Sequence, residues 1–414
     1  MSPRQLRILF ALLLTALALR VAAGLWWQSR LPGQFGFGDS DGYWTLAKAI
    51  AHGGPYQYGE DRVFRAPGYP LLLAPLFLVR DDPPVLWGRA VTALAATLGV
   101  AAVAWLAWGL SGPRVALIAA GLAAVYPGAV MMGAVILSEA LFSTLLVAQL
   151  AAWSVAVQAT SARRSAWLAC VAGLLGGAAT LTRPSWLLFT PIALLLGFSK
   201  GPVRRRLGES LCVVAGLTVV MAPWLVRNYW ATGCLVPTTL QVGASLYDGL
   251  NPQATGASDM RFVDRFRTEE QRNPSAAGGV SLECRLDRRL RQEAIAWAAS
   301  HPGQVLRLSL GKLARMWNVW PNDRTFFSWR VRWGVLFTFV PLAILAIIGT
   351  ARTLRRGWSC WLCWLPAVYL TLLHMVFVSS IRYREPAMLP LCVVAAIAIV
   401  AFGDKGVSRG QPAE

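Results

Sequence analysis

Apolar runs separated by short polar loops make up most of the chain, and their lengths predict its elements. A helix that crosses the hydrocarbon core of a bilayer needs about 20 apolar residues. Stretches 8–27, 87–110, 115–132, 137–158, 166–182, 184–199, 209–228, 331–351, 358–379 and 386–403 approach that length. Residues 115–158 form one apolar run, far longer than a bilayer is thick at about 1.5 Å per residue. It must fold back, and Tyr126-Pro127-Gly128 is the turn signal within it. Residues 166–199 are likewise too long for one crossing, and the polar interruption Thr182-Arg183-Pro184-Ser185 marks a hairpin tip. The first stretch follows Arg4 and Arg7 and contains Val21-Ala22-Ala23-Gly24, as a cleavable secretory signal would. It runs on through Trp26 and Trp27 to spanning length, so an uncleaved first helix is expected, with the Trp pair in the outer aromatic belt. The pattern predicts an all-α polytopic membrane protein of about ten transmembrane helices.

Two long polar segments interrupt the spans, 28–86 and 229–330. They divide the chain into helices 1–7 with a first outer loop (1–228), an extracytoplasmic segment (229–330), and helices 8–10 with a cytoplasmic tail (331–414). In the first loop Trp44, Ala47 and Ile50 lay a helical stripe along 42–52, capped by Ser40 or Asp41 and ended by Gly53-Gly54-Pro55. The apolar piece 71–79 is too short to span and reads as a helix lying in the outer leaflet. The second segment carries a helix at 285–299 and, after His301-Pro302-Gly303, an amphipathic one at 304–317 suited to the membrane surface or to a small lid.

Composition agrees with the pattern. Of 414 residues 56% are hydrophobic and 14% charged, and the mean hydropathy is +0.50, which argues against a water-soluble enzyme. The net charge of +19 would suggest nucleic acid in a soluble chain; in a membrane protein basic loops set orientation instead, and no nucleic-acid partner is expected. With the N-terminus inside, the cytoplasmic short loops hold fourteen basic residues: Arg4, Arg7, Arg114, Arg163, Arg164, Lys200, Arg204, Arg205, Arg206, Arg352, Arg355, Arg356, Lys405 and Arg409. The opposite loops hold eight, namely Arg30, Lys48, Arg62, Arg65, Arg80, Arg183, Arg382 and Arg384, so both termini are expected inside. The expected location is a bacterial inner membrane with the working face outside. Cys360 and Cys363 spell C-x-x-C, but no second ligand pair accompanies them. Cys234 and Cys284 share the second polar segment and could form a disulfide if it is extracytoplasmic.

In so apolar a chain, polar residues that topology brings to one membrane depth are the candidates for chemistry. Asp39 and Asp41 lie in the first loop; one carboxylate is accounted for by capping, leaving Asp39 over. Arg65 precedes the short helix, where it would meet either lipid headgroups or a bound phosphate. Glu139 opens the fourth span, Arg183 sits at the hairpin tip, Arg227 ends the seventh span, and Arg382 and Arg384 lie in the turn before the last. Each arginine alone could snorkel; a mixed acidic and basic set at one depth is not what snorkelling predicts. Arg20, within the first span, costs about 2.5–3.5 kcal/mol on insertion scales, so a carboxylate or phosphate partner is expected. Arginines bind a lipid phosphate, and a carboxylate takes the proton of an incoming hydroxyl or amine. A phosphate leaves as a stable anion, so one base suffices where a glycosidase needs two carboxyl groups. With no Gly-rich nucleotide loop, the residues point to inverting sugar transfer from a polyprenyl-phosphate donor. The rivals are a polymerase or ligase using a diphosphate-linked glycan, and a transporter or flippase, whose polar groups would lie near the midplane in repeated halves.

Three short stretches carry a resemblance: GDSDGYWTLAKAI at 38–50, FRAPGYPLLLAPLF at 64–77, and IRYREPAMLPL at 381–391. They resemble the first-loop Asp motif, the Arg/Lys-Pro-Pro-x-Tyr element and the arginine-rich turn of GT-C membrane glycosyltransferases. The likeness is to glycosyltransferase family 39, that of protein O-mannosyltransferases and the lipid A aminoarabinose transferase. The resemblance implies a GT-C fold, Asp39 as catalytic base or acceptor-positioning group with Asp41 beside it, and Arg65 on the donor phosphate. It extends substrate binding to Tyr69; Glu139, Arg183, Arg227, Arg382 and Arg384, read from their common depth, complete the expected substrate-binding set. Ser40 stands where the family has its second acidic residue while Asp41 adds a carboxylate nearby, so a divalent cation is left open and no other cofactor is implied. The acceptor, whether glycan, lipid or protein, is not implied.

Overall fold

The computed structural model describes residues 1–31, 35–198, 202–272, 280–320 and 328–409, with side chains through Asp404. Lys200 of the basic-loop count lies outside the described residues, and Lys405 and Arg409 outside the described side chains. The described residues form sixteen α-helices and no strand beyond an isolated bridge between Tyr58 and Asp61. In order they are α1 (Pro3–Arg30), α2 (Gly38–Ala51), α3 (Gly68–Val79), α4 (Val85–Val125), α5 (Pro127–Ala134), α6 (Glu139–Gln158), α7 (Ala162–Thr182) and α8 (Phe189–Phe198). After them come α9 (Val203–Thr232), α10 (Val242–Gly249), α11 (Phe262–Gln271), α12 (Leu282–Ser300), α13 (Pro302–Met316), α14 (Trp329–Thr353), α15 (Trp358–Val376) and α16 (Glu385–Arg409).

Eight of these, α1, α4, α6, α7, α9, α14, α15 and α16, are long and apolar enough to cross a membrane. The chain is a multi-pass membrane protein. The difference from ten lies in two places. Helix α4 runs through both the second and the start of the third expected spans, but Ser111 and Gly112 leave the helical region, and Gly112 takes φ +81°, open to glycine at no steric cost. At the expected turn Tyr126-Pro127 helix α4 ends and the eight-residue α5 begins; non-helical Val135–Ser138 follows before α6. The other place is 184–199, where Pro184–Trp186 is a 3₁₀ turn and α8 has ten residues, too few to span alone.

The bundle is built on close helix approach. Helices α7 and α9 touch at Gly173 and Gly216; a Cβ on Gly173 would lie 2.0 Å from the Val213 carbonyl oxygen, and one on Gly216 2.2 Å from that of Cys170. Lipid tails offer no hydrophobic gain from association, so backbone contact through small residues supplies the packing. Gly173→Val is therefore expected to destabilise the bundle by about 3 kcal/mol, read as a fall in thermal unfolding temperature in detergent; an unchanged temperature would show that the helices can separate freely. Gln149, buried inside, is paired on both sides: it accepts from Trp186 Nε1 at 2.7 Å and donates to Thr190 at 2.9 Å.

Arg20 departs from expectation. Its partners are backbone carbonyls, Ala16 at 2.9 Å and Ala124 and Ala123 at 3.2 Å, the last two in the final turn of α4, where the helix dipole is negative. The Trp pair also divides: Trp27 is buried against Phe37 while Trp26 faces outward beneath Arg30.

The two polar segments pack on each other. Glu283 of α12 accepts the backbone amides of Arg62 and Val63 at 2.7 and 3.0 Å, Arg267 of α11 pairs with Asp61, and the Leu240 amide donates to the Val63 carbonyl. Cys234 and Cys284 are joined by a disulfide. Lys312 of α13, fully buried, donates to the carbonyls of Gly249 and Val376 at 2.8 and 2.7 Å, fastening the end of α10 to the end of α15. Its burial lowers the lysine pKa to about 8.

Candidate active site

Helix α2 begins four residues before the expected 42, at Gly38, with Phe37 at its N-cap and no side chain capping it. Neither Ser40 nor Asp41 is the cap: Ser40 donates to the Ile136 carbonyl at 2.7 Å, and Asp41 accepts from Tyr58 at 2.8 Å on the exposed side. Both aspartates therefore occupy the first turn, where unpaired amides favour an anion. The two side chains point to different neighbours, and Asp39 alone enters the cluster.

Asp39 sits between two guanidiniums, Oδ1 at 2.6 Å from Arg65 Nη2 and Oδ2 at 2.9 Å from Arg382 Nη2. Arg382 reaches further, its Nε 2.5 Å from Glu139 Oε1, and that same oxygen is 2.7 Å from Arg183. The result is an alternating chain, Arg65, Asp39, Arg382, Glu139, Arg183, drawn from α2, the loop before α3, the turn before α16, the start of α6 and the end of α7. Glu139 is 1% exposed, a buried carboxylate that needs both of its cations. Aromatic rings shelve the arginines: Arg65 lies over Phe64 and Tyr43 at 4.6 and 5.5 Å, Arg382 and Arg183 over Tyr383 at 5.4 and 5.6 Å. Gln241, before α10, accepts from Arg65 at 2.9 Å and ties the cluster to the second polar segment.

Burial pushes the Asp39 carboxyl up, but Arg65 and Arg382 outweigh it and hold the group below the ordinary carboxylate value. The folded pKa being depressed, the ion pairs stabilise fully above the unfolded value of about 3.9 and the contribution is lost as pH falls through the lower folded one. In the resting protein Asp39 is thus ionised throughout pH 5–8, and the pH profile of kcat/KM, which reports the free enzyme, is expected to show no acid limb from it in that window. A limb near pH 6 that disappears in Asp39→Asn would contradict the ion-paired geometry.

The cluster forms the polar end of a cavity of about 680 Å³. Leu187, Leu188, Tyr369, Leu373 and Phe377 line one wall, from the 3₁₀ turn and α15; Ser245, Ser258, Arg267 and Glu283 line another, from the second polar segment. Besides Asp41, three residues expected at the site lie apart from the cluster. Arg227 donates to the carbonyls of Arg62 and Tyr56 at 2.6 and 2.7 Å, so it holds the loop that carries Arg65. Arg384, fully buried, donates to Asn318 and Met316 at 2.7 and 3.1 Å and stands over Phe339. Tyr69 is enclosed, sharing a hydrogen bond of 2.7 Å with Thr92 and meeting Tyr43 edge-on. Reasoning from sequence missed Gln241 and His374, because polar residues far apart in the chain give no spacing signal, and Tyr383, whose ring lies under two arginines although it stands in the stretch 381–391.

The donor set does not fit a divalent cation. Asp39 and Glu139 are neutralised by three guanidiniums, and no group of three His, Cys, Asp or Glu side chains suited to a metal occurs among the described residues. Cys360 and Cys363 are buried free thiols.

No protein-family model matches the sequence, and no curated protein matches it. Solved structures do match in fold. The chain aligns with the archaeal oligosaccharyltransferase AglB from Archaeoglobus fulgidus, in complex with an inhibitory peptide and a dolichol-phosphate, at TM-score 0.62 and 15% identity over 100% of this chain and 52% of that one. The apo form of the A. fulgidus oligosaccharyltransferase aligns at TM-score 0.61 and 15% identity, over 97% and 51%. ArnT from Cupriavidus metallidurans bound to undecaprenyl phosphate aligns at TM-score 0.47 and 15% identity over 98% and 81%, too distant to add to the assignment. The chain spans about half the length of the oligosaccharyltransferases it matches. The fold is of the GT-C type, as the resemblance of its motifs implies.

Proposed function

We propose that the chain transfers a sugar from a polyprenyl-phosphate donor to an acceptor hydroxyl or amine on the extracytoplasmic face, inverting the anomeric carbon. One observation carries this reading: a part-exposed carboxylate lies between two guanidiniums at the polar end of a cavity with an apolar wall. That combination suits a substrate that is anionic at one end and hydrocarbon at the other. The dolichol-phosphate of the archaeal oligosaccharyltransferase complex is a molecule of that kind. The excess of basic residues in the short loops on the side away from Asp39 and the disulfide in the second polar segment both support an outward-facing site.

In this reading the donor phosphate competes for the hydrogen bonds that Arg65 and Arg382 give Asp39 at rest. As the guanidiniums turn to the phosphate, Asp39 loses its cations and becomes a stronger base. The acceptor oxygen or nitrogen then bonds to the anomeric carbon, its proton passes to Asp39, and the bond from that carbon to the phosphate oxygen breaks. The carrier phosphate keeps the electron pair, held by the arginines. Glu139 stays a counter-charge that keeps Arg183 and Arg382 in place.

The test is transfer by the purified protein in liposomes. Polyprenyl phosphates carrying labelled hexoses are supplied with an envelope extract of glycans, lipids and proteins as acceptor mixture. Acceptor-dependent release of free carrier is expected, with label moving to the extract. Retention of all label on the lipid, for every hexose tried, would overturn the reading.

A further inference from the structure

His374 lies in the last turn of α15, 8% exposed, and lines the cavity beside Leu373 and Phe377. Two contacts fix its ring. It stacks on Tyr383 with centroids 4.3 Å apart and planes 3° from parallel, and Nδ1 lies 2.8 Å from the Val378 carbonyl oxygen. A carbonyl only accepts, so Nδ1 carries a proton. Nε2 has no hydrogen-bond partner among the described residues, although the ring is nine-tenths buried. The ring it stacks on also shelves Arg382 and Arg183, and no carboxylate among the described residues bonds the imidazole. Nε2 is therefore a lone-pair acceptor set in a cavity wall, one aromatic ring away from the guanidinium that holds Asp39.

We infer that His374 Nε2 accepts a hydrogen bond from a hydroxyl of the sugar carried by the lipid donor, making it a specificity-determining residue of the site. The inference rests on the transfer reading for the identity of the ligand. A phosphodiester has no proton to give such a nitrogen, and an isoprenoid has none either; the sugar is the one part of the donor that does. Buried acceptors of this kind discriminate strongly, because a ligand lacking the donor leaves them unpaired.

Binding tests this without turnover. Undecaprenyl phosphate and undecaprenyl-phosphate-linked hexoses compete for the full-length protein in nanodiscs. In His374→Phe, which keeps the stack and loses the acceptor, affinity for the hexose-linked lipid is expected to fall about tenfold, while that for bare undecaprenyl phosphate stays within twofold. His374→Gln, which keeps a polar atom at the Nε2 position, is expected to recover most of the loss. Recovery by His374→Asn, which instead keeps a polar atom near Val378, would reduce His374 to a structural prop and overturn the inference. So would equal loss for both lipids, or no loss for either. Failure of the transfer reading shows separately, as a wild type that binds these lipids and moves no sugar.

Discussion

Asparagine at position 39 is expected to lower sugar transfer by about a thousandfold while leaving donor affinity unchanged or slightly tighter. The substitution keeps the size of the side chain and leaves an amide oxygen that can still accept from Arg65 or Arg382, which hold the carboxylate at 2.6 and 2.9 Å. What it removes is the site for the acceptor's proton, and general base catalysis contributes about 10²–10⁴ in rate. It also removes one negative charge from a chain of three arginines and two carboxylates, so the guanidiniums become freer for a phosphate. Loss of kcat without a rise in KM is the signature of a group that acts in the transition state. Steady-state kinetics in proteoliposomes decide the matter, with thermal unfolding as the control for folding. Full activity in Asp39→Asn would remove the base from this position and leave Asp39 as a counter-ion of the arginines.

Much of this site was readable along the chain because helix ends carry it. Arg65, Glu139, Arg183 and Arg382 are each the charged residue nearest one end of an apolar stretch, Asp39 lies in the loop between two such stretches, and the bilayer sorts such ends to one of two depths. Depth alone does not tell which members of a set touch. Arg227 and Arg384 share the depth but spend their hydrogen bonds on the backbone, at Tyr56 and Arg62 and at Met316 and Asn318. An arginine has five donors and no acceptor, and an exposed helix end and a buried loop are equally able to receive them. The same blindness misassigned Arg20, whose partners are carbonyls that the break after α4 leaves free. Spans were legible where the hydrophobic run was bounded by charge. The breaks at Gly112 and Pro184 fall where the polar interruptions place them, but hydropathy overstated the length of the helix that follows Pro184, since α8 has only ten residues. The contact between the two polar segments was beyond reach for another reason. Glu283 and Val63 are 220 positions apart, and a carboxylate that binds two backbone amides needs no particular residue opposite it.

Removal of Arg382 is expected to do the widest damage, because this side chain alone joins the two carboxylates. Arg382→Ala leaves Asp39 with Arg65 and Glu139 with Arg183, and Glu139 is 1% exposed. Breaking a buried pair outright costs about 3–5 kcal/mol, and the loss is expected at the lower end of that range because Arg183 still faces Glu139. Donor affinity is expected to fall about a hundredfold as well, from loss of a guanidinium fork that a phosphate would use. Arg382→Lys should recover little, as one ammonium cannot keep Nη2 on Asp39 and Nε on Glu139 together. Stability and binding can then be pulled apart with a second change. In Arg382→Ala with Glu139→Gln the buried carboxylate left short of one cation is gone, although Arg183 loses its partner, so thermal unfolding should return partway toward wild type. Donor affinity should stay low, because neutralising Glu139 supplies no new cation for a phosphate. If the double variant regains both, Arg382 serves only to balance Glu139, and the phosphate must be gripped by Arg65 and Arg183 without it.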